Sequence, residues 1–393
     1  MNLSAALARR LQINWRILAF YVFAFAAGGV VQPFLNLYLV EIGLSASRIG
    51  VIYGWASLAA VIITPLVGLL ADRSQRHRLI LGIDTLVKGV SAPLMLLSSA
   101  WTWLVFTVSL RVVTAGVSDG LLTPLTMKRL NENHSQKIGA VRVWGSLSFA
   151  LTSLLAGWAA SGRSAATLFP LAGVMGAAAC LFVGAFPERI AGRSSDRLID
   201  LRRARPSSPI LLLYLLAFLY AFSASGPDSF TNVFLVQSLG AGNDLIGLIG
   251  AVLWLAPLAG FYISDHLINR IGGAACMATS FGLFGLAYLG FAFIPTPMLA
   301  LPFVISQGIG QALYLVSLII LMTHFGPANN ASTNLLLAQM TVPGAAGMLA
   351  QPLSGWIFDI FGGPSLFILD ALIALIAMGL LLIVRSKSRW LAV

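Results

Sequence analysis

Long apolar runs broken by brief polar punctuation set the pattern of this chain. Runs of about 20 residues, the length an α-helix needs to cross a bilayer core, recur at roughly 16–41, 47–71, 79–99, 101–127, 138–160 and 165–187. They recur again at roughly 209–237, 244–268, 273–294, 297–325, 332–358 and 364–385. The pattern predicts twelve transmembrane helices, hence an all-α polytopic membrane protein. One long polar stretch, Glu188 to Ser208, carries Arg189, Arg193, Arg197, Arg202, Arg203 and Arg205. It divides the chain into an N-terminal six-helix bundle (1–188), a basic cytoplasmic linker (189–208) and a C-terminal six-helix bundle (209–393). The linker has the composition of a partly interfacial helix.

The two halves repeat each other. FLNLYLV at Phe34 to Val40 aligns with FTNVFLV at Phe230 to Val236, an offset of 196 residues. Further on, Ile49-Gly50 answers Ile246-Gly247, Pro65 to Gly68 answers Pro257 to Gly260, and Gly157-Trp158 answers Gly355-Trp356. The shared order and near-constant offset indicate duplication, which predicts two pseudo-symmetric bundles.

Composition supports the membrane assignment. The 393 residues are 58% hydrophobic and 9% charged, against about 25% charged in soluble domains. A net charge of +11 would suit nucleic acid, but its placement excludes that partner. With both termini cytoplasmic, 19 of the 24 Lys and Arg fall on the cytoplasmic side, only Arg48 and Arg163 fall outside, and Lys88, Arg111 and Arg142 lie within spans. Arg9, Arg10 and Arg16 precede a run too long for a cleaved signal, so it is expected to stay as the first span. Cys180 and Cys276 both lie in apolar runs, where Cys serves as a small hydrophobe without disulfide or metal. Nucleotide-binding, zinc-protease and serine-hydrolase signatures are absent, so neither an enzyme nor a cofactor is expected.

Where the second run meets charge, the chain reads PLVGLLADRSQRHR, from Pro65 to Arg78. Gly68 permits close backbone approach, Asp72 and Arg73 place a charge pair at the helix end, and Arg76, His77 and Arg78 form a basic knot. This stretch resembles the loop signature of the major facilitator superfamily of secondary transporters, with Gln75 where the signature has its second glycine. The resemblance implies alternating access, with Gly68, Asp72, Arg73 and Arg76 gating it.

Charges inside a bilayer need a reason. Asp84 and Lys88, four apart on the third run, are expected to neutralise each other on one helix face, and Asp370 is expected near the outer interface. On the fourth run, Arg111, Ala115, Ser118, Asp119, Leu122 and Thr126 share a stripe. The fifth begins IGAVRVWGSLSFAL; its Gly139, Arg142, Trp144, Gly145 and Ser146 resemble the proton-coupled lactose permease and phenylpropionate permease group. Those permeases carry a carboxylate three residues after a proline in the fourth span; here Met127 follows Pro124 at that spacing, leaving Asp119 as the nearby substitute. An arginine without a fixed partner can meet an anionic solute bidentately, or snorkel to the interface instead.

Gln32 and Asn36 on the first run correspond through the repeat to Asp228 and Asn232 on the seventh. Pro33 and Gly226-Pro227 interrupt both helices beside them, as in the binding helices of transporters. Asp228, with no basic residue within a turn, is either a proton carrier or a hydrogen-bonded structural aspartate. Gln307, Gln311 and Tyr314 form a stripe on the tenth run. The expected site therefore has Gln32, Asn36, Arg111, Arg142, Trp144, Asn232, Gln307, Gln311 and Tyr314 for substrate and Asp119 with Asp228 for protons. The resemblance implies a monomeric carrier of a sugar, nucleoside, or aromatic or organic acid in the inner membrane, driven by the proton gradient as a symporter. Two alternatives stand beside it: drug or metabolite efflux by proton antiport, and a sensor that kept the fold without transport. The Gly-Pro motif of drug-antiporter relatives is absent from Val141 to Trp158, and the retained intramembrane charges favour transport.

Overall fold

The computed structural model describes residues 14–132, 138–189, 207–326 and 331–387. The polar linker and both extreme termini, with the basic residues expected there, therefore lie almost wholly outside the described residues. Within them the protein is helical, with no strand. The first half comprises α1 (Trp15–Glu41), α2 (Ala46–Ser74), α3 (His77–Met95), α4 (Trp101–Glu132), α5 (Ile138–Ala159) and α6 (Ala165–Ala185, with a 3-10 turn at each end). The second comprises α7 (Ser208–Gln237), α8 (Asn243–Ile271), α9 (Gly273–Phe293), α10 (Pro297–Phe325), α11 (334–361) and α12 (363–387).

Ten helical stretches among the described residues are long and apolar enough to cross a membrane, and two details reconcile ten with the expected twelve. The 19-residue α3 falls short because Arg78, Asp84 and Lys88 lower its hydropathy. The last stretch, 53 residues long, is two spans joined at Gly362, whose φ of 80° and ψ of 171° no helix contains. The break at Gly362 falls in the gap expected between the runs ending at 358 and beginning at 364.

Local chemistry explains the other breaks. Pro33 lacks an N–H, and α1 pauses there between Val31 and Leu35 before continuing to Glu41. Ser45 caps α2 by accepting from the Arg48 N–H. Gln75 ends α2 in the left-handed region, φ 56° and ψ 22°, which accounts for glycine at this place in the resembling signature.

Within each bundle small residues let helices approach. Gly89 of α3 meets Gly176 of α6 backbone to backbone, a contact that no side chain at either position would permit. The same close approach occurs in both halves: Gly116 of α4 on Thr64 of α2, and Gly308 of α10 on Ala256 of α8, each pair displaced by 192 residues from the other.

The halves touch along two seams. In one, Gly50 and Ala46 of α2 press on the backbones of Gln351 and Gly355 of α11; in the other, Gly157 of α5 lies on Gly247 of α8. Ser153 Oγ donates to the Gly247 carbonyl at 2.8 Å in the second seam. Both seams run inward as far as Val61 beside Gly344 and the Phe149–Trp254 ring stack, centroids 4.1 Å apart. Beyond that level the halves part. A side chain begun at Gly68 would meet no other element within 4 Å, so the close approach expected there is not made, and Tyr262 of α8 is 88% exposed. The protein is closed at the end where α2 begins and open at the end that carries Asp72.

Candidate functional site

Exposed polar side chains on a membrane-crossing helix must face an aqueous space, because lipid offers them no partners. Gln32 of α1, Asp119 of α4, Asp228 of α7 and Gln311 of α10 are exposed in this way. They are also related by the internal repeat: Gln32 and Asp228 lie 196 residues apart, Asp119 and Gln311 lie 192 apart. Each related pair joins one acid to one amide, so each half presents a single exposed carboxylate to the space between the bundles.

The N-terminal half surrounds that space with cations. Lys88, half-buried on α3, is within electrostatic reach of Asp119, Arg111 and Asp84. The expected Asp84–Lys88 ion pair does not form. Asp84 is buried, and it accepts a 2.5 Å hydrogen bond from Ser118 Oγ on α4. The helical spacing allowed the pair, but a neighbouring helix offered a neutral donor, which holds a buried carboxyl without a second buried charge. Asp119 has Lys88 and Arg142 as its nearest cations. Arg111 lies beside Tyr53 of α2, whose hydroxyl donates to Asn36 Oδ1 at 2.8 Å. Arg142 is exposed on the α5 face of Ser146, Phe149 and Ser153, which points at α8. The rest of the α4 stripe is spent on packing: Ser118 serves Asp84, and Thr126 shares a 2.9 Å hydrogen bond with Tyr21 of α1.

The C-terminal half is acidic and aromatic. Gln307 Nε2 donates to Asp228 Oδ1 at 2.9 Å. Tyr314 stacks on Tyr220 with centroids 3.9 Å apart, is buried, and therefore supports Tyr220 from behind rather than facing the space. Gln311 lies beside Tyr220. Asp370 is buried inside the bundle. It is 1% exposed, with Oδ2 against Gly226 of α7. No Lys or Arg lies inside this bundle among the described residues, Arg270 and Arg385 being at helix ends.

Three expected substrate residues belong elsewhere. Asn36 donates to the Ser229 carbonyl at 2.7 Å and Asn232 to the Pro33 carbonyl at 2.9 Å, so both amides stitch the halves together. Trp144 shares its α5 stripe with Leu147, Leu151, Leu155 and Trp158, all exposed and apolar, which is the lipid-facing side of that helix. At the open end Asp72 pairs with His77 Nε2 at 3.0 Å rather than with Arg73, which is exposed like Arg76.

Several residues of the seam were not singled out from sequence. Ser229 Oγ donates to Gln351 Oε1 at 2.8 Å, and Asp359 of α11 caps the first turn of α2, accepting from the Ala46 and Ser47 N–H groups at 2.9 and 2.7 Å. On the other seam Asn243 Nδ2 donates to the Ala160 and Arg163 carbonyls at the end of α5, at 2.9 and 2.8 Å. The helix-end capping role of Asp359 is visible only once α2 and α11 are adjacent.

Two six-helix bundles related by an internal repeat, closed at one end and parted at the other around polar side chains, define a multi-pass membrane transporter. The chain belongs to the MFS_1 like family, which matches residues 14–369. It is similar to the maltose permease of Geobacillus stearothermophilus, 24% identical over 377 residues and 94% of each chain. It is also similar to the uncharacterized transporter YwbF of Bacillus subtilis, 20% identical over 385 residues, 94% of this chain and 93% of that one. The crystal structure of the nucleoside transporter NupG superposes with a TM-score of 0.81 at 15% identity, covering 95% of this chain and 99% of that one. That likeness is one of fold. Family and fold make the protein a transporter rather than an enzyme.

Proposed function

We propose that the protein is a proton-coupled symporter of a small organic solute, working as a monomer by alternating access in the inner membrane with both termini cytoplasmic. The observation that carries this is the division of charge across the central space. Lys88, Arg111 and Arg142 stand in one half, while the other presents Asp228 with no internal cation among the described residues. Such a space can hold the anionic or hydroxyl-bearing end of a solute on the N-terminal side and a proton on the C-terminal side. The basic residues after Asp72 support a cytoplasmic position for the open end, which makes inward-facing the reading of this conformation. The fifth-span likeness to the lactose and phenylpropionate permease group and the relation to a maltose permease support sugars, nucleosides and aromatic or organic acids as the solutes to test.

The test is uptake into proteoliposomes of labelled maltose, a nucleoside and an aromatic acid, with and without a pH gradient. Gradient-driven accumulation of one of them is expected. Asp119→Asn and Asp228→Asn are each expected to abolish that accumulation and to spare solute exchange. Accumulation that persists in both variants would place the protons elsewhere.

A further inference from the structure

Lys88 is an intramembrane cation whose partner is not on its own helix. The other sides of α3 are taken. Gly82 and Gly89 lie against Val183 and Gly176 of α6, while Ile83, Leu86 and Val90 are exposed on the lipid side. Asp84 accepts from Ser118 on α4. Lys88 follows Asp84 by one turn, which puts it on the α4 side as well, so its half-exposure opens toward the space inside rather than toward lipid. Side chains on a helix lean toward its N-terminus, and the Lys88 stem therefore leads back to the level of the Asp84–Ser118 bond. Asp119, the next residue after Ser118 on α4, is exposed to the central space at that level.

The other charged and titratable groups around this level leave the two to each other. Asp84 is held by Ser118, Arg111 lies beside Tyr53 of α2, and Tyr21 of α1 shares its hydroxyl with Thr126. Arg142 acts on Asp119 from α5, more weakly than Lys88 does. On the far side of α3, α6 has no charged residue between Ala165 and Ala185. An unpaired ion within a bilayer is costly, so Lys88 and Asp119 are the natural counter-charges of one another. They stand within electrostatic reach without an ion-pair contact, which leaves the amine able to change partners.

We propose that Lys88 keeps Asp119 ionised while the site is empty and gives it up when a carboxylate or hydroxyl of the solute competes for the Lys88 amine, which makes proton uptake conditional on solute. With its counter-charge drawn off, the Asp119 carboxylate takes a proton from water and an O–H bond forms on it. For a solute with one negative charge, the charge of the site is then the same empty and loaded. The proposal rests on Asp119 being a proton-carrying group of the transport cycle. It adds the reason why the empty carrier does not return with a proton, a leak that would dissipate the gradient without moving solute. Lys88 is thus a positioning residue, acting through the carboxylate that carries the proton.

Two measurements on the purified full-length protein test this without a known solute. In proteoliposomes that hold a pH gradient and no solute, read by a pH-sensitive dye in the lumen, Lys88→Gln is expected to let the gradient decay about tenfold faster than the wild type, the change in protonated carboxyl that loss of one close opposite charge brings. Lys88→Gln combined with Asp119→Asn is expected to be as tight as the wild type, because the leaking proton travels on Asp119. Lys88→Arg, which keeps the charge, is expected to stay tight too. Infrared difference spectra near neutral pH are expected to show a carboxylic-acid C=O band in Lys88→Gln that the wild type and the combined variant lack. A gradient that decays no faster in Lys88→Gln, a leak that survives the loss of Asp119, or the absence of that band overturns the proposal. If Lys88→Gln does not fold, Lys88→Met carries the same expectations. Failure of the transport proposal reads out separately, as wild-type uptake indifferent to a pH gradient. Gradient-driven uptake by the wild type together with a tight, band-free Lys88→Gln removes the Lys88 assignment alone.

Discussion

Asn36 and Asn232 join the two halves with the same bond made twice. Asn36 Nδ2 donates to the carbonyl of Ser229, and Asn232 Nδ2 donates to the carbonyl of Pro33. Asn36 and Asn232 lie 196 residues apart, as do Pro33 and Ser229, so the pair is one interaction reflected through the internal repeat. A duplicated bundle packs against its own copy this way, and the axis relating the halves passes between α1 and α7. The helix breaks at Pro33 and beside Pro227 lie where this exchange occurs.

Each of these bonds is worth about 1 kcal/mol net, close to a fivefold change in an equilibrium. Asn36→Ala and Asn232→Ala are therefore expected to shift the population toward separation at the closed end. Asn36→Ala should do so more, because it also strips Tyr53 of its acceptor. Distances between spin labels placed at the ends of α2 and α11 measure the shift. Equal behaviour of both variants and the wild type would mean that the seam is held by backbone packing alone.

The placement of these asparagines shows how far the sequence can be read. Duplication made Asn36 and Asn232 equivalent, and hydropathy placed them in spans. Polarity on a helix face does not say whether an amide meets solute or the opposing bundle, since both are neighbours across the same space. Trp144 is a different case. Its spacing to Leu147, Leu151, Leu155 and Trp158 is legible in the sequence as an apolar stripe, and a family-like motif around Arg142 obscured it. Asp84 and Asp370 depended on helices distant in sequence, Ser118 of α4 for one and Gly226 of α7 for the other. The α11–α12 boundary was legible, since Gly362 lies between the apolar runs 332–358 and 364–385.

Asp359 is expected to latch the closed end. It places both carboxylate oxygens on the first two N–H groups of α2, across the seam, where a negative charge also meets the helix dipole. Asp359→Ala should weaken closure by about 1 kcal/mol, and Asp359→Asn, which keeps one acceptor, by less. Modification rates of a cysteine introduced in the central space, measured from the side next to Ser45, should rise in that order. Unchanged rates would leave Asp359 as an ordinary cap with no part in opening.

Asp72 sits at the open end, beyond the level where the halves part, and holds His77 rather than any residue of the other bundle. In this conformation it has nothing to gate. Its influence must come when the open end closes and α2 approaches the other half. Asp72→Asn is thus expected to slow net transport while leaving solute binding nearly intact. Comparable losses of affinity and rate would show that Asp72 supports the site itself.

Arg142 separates the classes of solute. It is exposed on the α5 face that meets α8, and its nearest anion is Asp119, which Lys88 also serves. With Lys88 available to Asp119, Arg142 is free to meet a carboxylate-bearing solute through its planar fork, and Arg142→Lys should then bind that solute poorly. A neutral solute would instead leave Arg142 leaning on Asp119, and Asp119→Asn should weaken its binding by leaving that cation without its counter-charge. Met127, half exposed on α4, stands where the resembling permeases carry the carboxylate that engages this arginine. Met127→Glu is therefore the informative substitution. It should weaken an anionic solute, both by competing for Arg142 and by repulsion, by about 1 kcal/mol or more. A neutral, hydroxyl-rich solute should bind as well or better. Calorimetric titration with an aromatic acid and with maltose reads the two cases side by side, and tighter binding of the acid to Met127→Glu would remove Arg142 from the anion site.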